Sequence, residues 1–428
     1  MHSFIRIQTS EVTMKAFQVL WEKITQTKAL ENSSGELETL FFESVYRVSY
    51  ILGLSHSDRG LYVIYSTIVK LFVSLLFAFE VTHAILEPED FDDVAASLNV
   101  IVIHMIAFYR YKNTLYFSDL YRKLAEAMES ETFDIVTERR KKIVVYWANV
   151  NDNFLKLVLG IGNLTLIAWF IYPLVDDVEY NLVVGLKLPF NYRTPRSYMV
   201  TYVILVVVFY FISHFVMIVD VRMQTYLLHL ICQFNILADC FENVVEDSRN
   251  AVQHYDNNSF LHLDKNFQEI LKKRLRGLVE QHKSLLRSAL DLRRSLSGPM
   301  LGQLVASSVL ICFIGYQAAT TLTENITKCL MSLFFLGYNL FGFYIICRWC
   351  EEIKTQSESI GTAVYCSKWE TGVAVIPTVR SSLMMVIARA NKPLMMTAGG
   401  MYDLSLMSYS NLVKTSYTAL TVLLRFRN

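Results

Sequence analysis

The sequence predicts an all-α membrane protein with seven transmembrane helices, a cytoplasmic N-terminus and a cytoplasmic helical anchor domain. Composition is the first reason. Of 428 residues, 53% are hydrophobic and 18% charged, with a mean hydropathy of +0.32, which is too apolar for a soluble globular chain of this size. Segmentation is the second. Seven stretches, 61–86, 91–111, 154–175, 198–219, 300–322, 329–347 and 399–424, are long and apolar enough to cross a bilayer as helices. Charge placement is the third. With the N-terminus inside, Lys and Arg number 6 before the first span, 7 between the second and third, and 11 between the fourth and fifth, against 6 in all outer segments together. Cytoplasmic flanks carry the excess of basic residues, and that sets the orientation.

Residues 1–60 mix amphipathic pieces with polar breaks such as Glu31 to Gly35 and form a cytoplasmic N-terminal segment. No cleavable signal peptide is expected, because the first apolar span begins near residue 61. Helices one to four occupy 61–220. The first carries Lys70, which snorkels inward, and Glu80 and His83 near its outer end. His83, and His104 in the second span, are candidate ligand contacts, although a lone intramembrane histidine is more often a hydrogen-bonded packing residue. The first outer loop, 87–93, contains no base. The cytoplasmic loop 112–153 holds a basic run at 138–142 that reads as a positive-inside flank rather than a headgroup site. In the third span Gly162, Thr165 and Trp169 fall at i, i+3 and i+7 and share a face. An outer loop containing Leu188, Pro189, Phe190, Asn191 and Tyr192 leads to the fourth.

Residues 221–298 are anchor helices. There Phe267, Leu271, Leu275, Leu278, Leu285, Leu286 and Leu296 recur at near-helical spacing among basic residues. Such a stripe must be buried against another helix or another subunit. Helices five and six occupy 299–348, with Ser307, Ser308, Phe313 and Tyr316 in the fifth. Residues 349–398 contain a second cytoplasmic amphipathic piece, lined by Val379, Leu383, Val386, Ile387 and Ala390. The last helix and an extracellular C-terminus make up 399–428. Unlike the other spans it carries Ser405, Ser408, Ser410, Asn411, Thr415, Ser416, Thr418 and Thr421 around Lys414. Such groups are costly in hydrocarbon and belong against protein or water.

No enzyme, cofactor or metal is indicated. Phosphate-binding, zinc-protease and nucleophile-elbow patterns are missing. Cys347 and Cys350 form a lone C-x-x-C without the two further ligands a zinc site needs. The seven cysteines show no paired extracellular spacing, and a net charge of +1 argues against a nucleic-acid partner. A G-protein-coupled receptor requires the opposite orientation, and its Asn-Pro-x-x-Tyr pattern is missing from the last span. No internal repeat marks an inverted-repeat transporter.

Several runs together resemble a known family. They are Glu280 to Leu286, Ser307 to Cys312, Gly315-Tyr316-Gln317, Glu358-Ser359, Ala363 to Tyr365 with Trp369, and Arg389 to Leu394 with Lys392 and Pro393. Thr397-Ala398-Gly399, Leu404 to Leu406 and Lys414 to Tyr417 complete the set. The chain resembles an insect odorant receptor of the ligand-tuned class. It departs from that pattern at Gly400, where Lys is usual, and at Thr418-Ala419, where aromatics are usual. A gustatory receptor of the same superfamily is the alternative. Its last span typically ends in Gln-Phe after the Tyr, and no Gln follows Tyr417 here.

The resemblance implies a ligand-gated, non-selective cation channel: a tetramer whose last helices line a central pore and whose cytoplasmic helices join the subunits. It implies a small volatile odorant in the outer half of each bundle, odorant co-receptor subunits as partners, membrane lipid around it, and the plasma membrane of a sensory dendrite as location. A volatile gains affinity from apolar burial with few polar contacts. The expected ligand residues are therefore Leu98, Ile101, Gly162, Thr165, Trp169, Tyr198, Tyr202, Phe313 and Tyr316, and their aromatic bias suits a compact aromatic odorant. In the last helix Ser416, Leu420 and Leu424 lie at i, i+4 and i+8. The family's outer constriction carries over to Leu420 and Leu424, with Val413 and Ser416 lining the path below.

Four glycosylation sequons begin at Asn32, Asn163, Asn257 and Asn325. The charge bias puts Asn32 and Asn257 inside and Asn163 within a span, so glycan is expected at Asn325 alone, with incomplete occupancy so near the membrane. An endoglycosidase mobility shift that Asn325→Gln abolishes is the expected result. Sugar on Asn32 or Asn257 overturns the orientation.

Overall fold

Within hydrocarbon every backbone N–H and C=O must be satisfied inside its own segment, and the chain meets this with long helices. The computed structural model describes residues 21–56, 58–86, 91–130, 133–175, 178–252, 264–322, 325–370, 373–376 and 378–427. In order, the helices are α1 (Lys28–Glu31), α2 (Glu36–Ile51), α3 (Leu61–Leu86), α4 (Phe91–Tyr116), α5 (Ser118–Glu126), α6 (Glu138–Val175) and α7 (Pro195–Glu242). Then come α8 (Val244–Asn250), α9 (Lys265–Thr321), α10 (Ile326–Tyr365), α11 (Val379–Ala390) and α12 (Leu406–Arg427), with strands β1 (Thr397–Ala398) and β2 (Tyr402–Asp403) before the last helix. Among the described residues, α3, α4, α6, α7, α9 and α10 are long and apolar enough to span a membrane. The seventh, α12, falls short of that hydropathy because of its hydroxyls and Lys414.

Spans four to six do not stop at the membrane. α7 runs unbroken for 48 residues, α9 for 57 and α10 for 40, so the anchor is built from continuations of the bundle. The seventh element differs from the span expected at 399–424. Gly399 and Gly400 hold φ of 63° and 74°, a left-handed turn that glycine adopts without strain. They close the antiparallel hairpin β1–β2, and the helix starts only at Leu406. The hairpin is docked on α9, where the Gly399 N–H donates to the Ser297 carbonyl at 2.9 Å.

The cytoplasmic half of α7 is rich in apolar residues and buried on nearly every side. Leu227, Leu228, Ile231, Phe234, Ile236, Leu237 and Phe241 are fully buried. Around it pack α2, α6, α9 and α10. The stripe on α9 closes here: Phe267, Leu271, Leu275, Leu278, Leu285 and Leu296 are buried, with Leu286 partly so, in one cluster with α7. A helix of the same chain therefore covers it, not another subunit. α11 buries Val379, Leu383, Val386 and Ala390, with Ile387 at the edge. It sits tightly on α10 because a side chain at Gly361 would come within 3.2 Å of the Ala390 Cβ.

The basic run 138–142 is more than a flank. The Arg140 side chain is 1% exposed and donates to Asp239 (2.9 Å), Asp134 (2.9 Å) and Asp247 (2.5 Å). Arg274 of α9 shares Asp134 and Asp247 at 2.5 and 2.6 Å, and Arg139 reaches Asp239 at 2.7 Å. One ionic node thus ties α6, α7, α8 and α9. Nearer the bundle, buried Arg110 of α4 donates to Asp220 of α7 and Gln303 of α9. Removing one partner of a buried charge cluster leaves uncompensated charge and costs about 3–5 kcal/mol. Arg140→Ala is therefore expected to lower the melting temperature of detergent-purified protein sharply, whereas exposed Lys141→Ala changes stability by less than about 0.5 kcal/mol. Equal melting of the two variants would show that the node contributes nothing.

Candidate ligand-binding site

In the outer half of the bundle, α4, α6, α7 and α10 line a narrow chamber with a cavity volume of about 50 Å³. Its wall follows from local residue choice. At Gly162 an added Cβ would lie 2.3 Å from the Met217 methyl, so the missing side chain is what admits Met217 of α7. Thr165 returns its hydroxyl to the Ile161 carbonyl at 3.0 Å, which leaves an apolar surface. Trp169 is buried and its indole N–H donates to the Val183 carbonyl at 2.7 Å. Its ring meets Phe335 edge-on, with centroids 4.9 Å apart, and tilts against Phe209 at 5.7 Å. Val100, Ile103 and His104 of α4 complete one side.

Trp169, Val100 and Phe335 also border a second, more polar space of about 140 Å³. Glu80, Asn99, Gln317 and Lys328 line it, together with backbone from Asn181 to Gly185. That outer-loop stretch folds down into the bundle: Leu182, Val183, Val184 and Leu186 are buried. The Tyr198 hydroxyl clamps the loop by donating to the Asn181 carbonyl at 2.7 Å. A Cβ at Gly185 would strike the His83 ring at 2.5 Å, so close approach requires glycine there. The sequence signal for this loop was the apolar run Leu182-Val183-Val184, which the reading of 188–192 passed over.

The structure brings Gly162, Thr165 and Trp169 together on the chamber wall. Leu98 and Ile101 are half-buried on α4 but outside both walls, which use Val100, Ile103 and His104 instead. Tyr198 and Tyr202 act as backbone ties; the Tyr202 hydroxyl donates to the Phe170 carbonyl at 2.5 Å. Phe313 and Tyr316 of α9 are half-buried and buried, neither on a wall. On α12, Ser416 is 3% exposed, and Val413, Leu420 and Leu424 are half-buried. Leu420 packs on α9, where a Cβ at Gly315 would lie 3.0 Å from it. Within one chain this face turns toward α9, and Asn411, Lys414, Thr415, Thr418 and Val422 form the open side.

Asn325 caps α10, its side-chain oxygen accepting from the N–H groups of Thr327 and Lys328 at 3.1 and 3.0 Å. Asn163 lies inside α6, and Asn32 ends α1. Asn257 and residues 87–90 of the acidic outer loop lie outside the described residues.

The family described as 7tm Odorant receptor matches residues 90–417. Putative odorant receptor 85d of Drosophila melanogaster is 29% identical over 143 residues, covering 33% of this chain and 34% of that relative. Odorant receptor Or2 of Anopheles gambiae is 25% identical over 158 residues, covering 36% and 39%. The aligned stretch thus spans little more than a third of these relatives. The insect olfactory receptor OR5 from Machilis hrabei in complex with eugenol has the same fold, with a TM-score of 0.74 at 16% identity, covering 91% of this chain and all of that one.

Gly162→Ala should drive the Met217 end into the chamber. The obstructing atom is the tip of a flexible side chain, so stability is expected to change by less than about 1 kcal/mol. Ligands near the size limit should weaken roughly tenfold while smaller ones are unaffected. Concentration–response curves over a homologous ligand series check this, with Leu98→Ala, off both walls, as the silent control. A uniform response across ligand sizes in Gly162→Ala removes the chamber from consideration.

Proposed function

We propose, because the chain belongs to the insect odorant receptor family, that it is an odorant-gated, non-selective cation channel subunit. The observation that carries this reading is the mostly apolar chamber bordered above by Trp169, Val100 and Phe335. Its mostly apolar lining suits a small volatile, whose affinity comes from apolar burial and shape. The multi-pass fold is shared with a receptor solved with eugenol, a compact aromatic, and the aromatic wall here favours ligands of that kind.

Four such subunits around an axis, this one together with odorant co-receptor subunits, would bring their α12 helices to a central path for cations. The plasma membrane of a sensory dendrite is the proposed location. Leu420 and Leu424, half-buried near the outer end of α12, form the constriction in this reading, since narrow apolar rings block ions by dewetting. Val413 and Ser416 lie below it. The coupling runs along α9: Gln317 lines the space above the chamber, and Gly315, two residues before it, receives Leu420. A ligand opens the pore only through its preference for the open arrangement, so it must favour a position of α9 that frees Leu420.

Voltage clamp of cells co-expressing the chain with an odorant co-receptor tests this. A volatile panel should evoke cation current that persists when G-protein signalling is blocked. Trp169→Ala should shift the concentration for half-maximal response by about tenfold or more, as loss of a large buried aromatic contact implies. Leu420→Ser should raise ligand-independent current by easing wetting. Surface-expressed Trp169→Ala, Leu420→Ser and Leu424→Ser channels that behave like the parent would sink the site and the gate together.

A further inference from the structure

The chamber is mostly apolar, and its upper edge meets a buried polar pair. There Glu80 of α3 accepts from or donates to His104 Nδ1 at 2.8 Å, with both side chains 3% exposed. Only one carboxylate oxygen is engaged. The other, Oε1, is buried without a partner, and so are both amide atoms of Asn99, itself 2% exposed. Glu80 and Asn99 line the upper space and His104 lines the chamber below. The pair therefore bridges the two spaces, beside Val100, which borders both.

Leaving buried polar atoms unmatched costs the full desolvation of each. Three such atoms on adjacent helices, facing one cavity, are not what apolar packing alone would select. The other polar groups near the Trp169 end are already engaged: the Thr165 hydroxyl with Ile161 and the Trp169 N–H with Val183. Ser97, Tyr172 and Ser332 also line the upper space, Ser332 with its hydroxyl donated to the Lys328 carbonyl, whereas the Ser213 and Tyr338 hydroxyls belong to the chamber itself. Tyr338 also borders Arg110 and Asp220, which marks the inner end.

We infer that this edge recognises a hydrogen-bond donor on the ligand, a hydroxyl or an amine, whose apolar body occupies the chamber beneath Trp169. The inference rests on the chamber being the ligand site. The Glu80 Oε1 and Asn99 Oδ1 accept from the donor, and the Asn99 amide N–H donates back to its oxygen or nitrogen lone pair when one is free. A site built around such groups rejects an analogue that lacks the donor, because its own atoms then stay unpaired.

The test uses four probes of matched size: benzyl alcohol, benzylamine, anisole and ethylbenzene. Two readouts run in parallel, current with the co-receptor present and ligand-induced thermal stabilisation of the purified full chain. The two donors are expected to act at concentrations about tenfold below anisole and ethylbenzene, the worth of one good hydrogen bond. Asn99→Leu, which replaces two unmatched polar atoms by an apolar side chain, should erase that advantage while leaving ethylbenzene unchanged. Glu80→Gln should weaken benzylamine more than benzyl alcohol if an ammonium is the natural head group, and both alike if it is a hydroxyl. Parity of all four probes in the parent protein overturns the inference. So does a donor advantage that survives both variants but is lost in Ser213→Ala or Tyr338→Phe, or an absence of both current and stabilisation with every probe. A donor advantage in thermal stabilisation without current upholds the donor site and overturns the channel reading instead.

Discussion

The architecture depends on one constraint, the burial of α7. A helix with apolar residues on most of its circumference must be covered from most sides. In its cytoplasmic half α7 carries Leu, Ile and Phe on most faces, with Thr225, His229, Gln233 and Asp239 buried among them. That requirement draws α2, α6, α9 and α10 around it. In its membrane half the same helix has only one face to hide. Met199, Val200, Val203, Ile204 and Val207 stay exposed there, an i, i+1, i+4, i+5, i+8 stripe suited to lipid. One unbroken helix thus passes from a lipid-facing to a fully enclosed environment. It fixes the membrane bundle and the anchor in register with each other.

Two arginines then set the geometry that apolar packing leaves loose. Buried ion pairs add little net stability against an apolar alternative, because desolvation offsets the attraction. Their contribution here is orientation. A guanidinium presents its donors in a rigid planar fork, so Arg140 fixes where Asp134, Asp239 and Asp247 stand relative to one another. Arg110 does the same for α4, α7 and α9 at the inner end of the bundle. Neither residue touches the chamber, yet both decide how the helices that form it are rotated.

Much of this was legible in the sequence, and the gaps have physical causes. Span positions follow from apolar length, and the stripe from Phe267 to Leu296 announced a helix that had to be covered. Its partner was not legible, because periodicity shows which face is apolar and not what lies against it. The rotation of α4 was misjudged, with Leu98 and Ile101 favoured over Val100, Ile103 and His104. Residues Val100 to Ile103 are apolar without a break, and a run with no period defines no face. In α6 the small Gly162 and Thr165 broke the run, and the face they mark lies on the chamber wall. Arg140 was hidden because a basic run beside a span looks the same whether it faces headgroups or three aspartates. The start of the last helix was placed too early because hydropathy does not register the left-handed turn at Gly399 and Gly400.

The continuity of α9 has a mechanical consequence. At 57 residues and 1.5 Å per residue, the helix is a rod of about 85 Å. Pro299 lies within it, where the missing N–H breaks the hydrogen-bond ladder. Beside that point α4 grips the rod: a Cβ at Gly298 would meet the Tyr109 hydroxyl at 2.4 Å, and Arg110 holds Gln303. The arms on either side measure about 35 Å toward the outer end and about 50 Å toward the cytoplasm. A tilt of about 3° about this fulcrum would move the cytoplasmic tip by about 2.5 Å, more than it moves the outer end. Any reorientation of the rod about this point is therefore larger in the anchor than in the membrane.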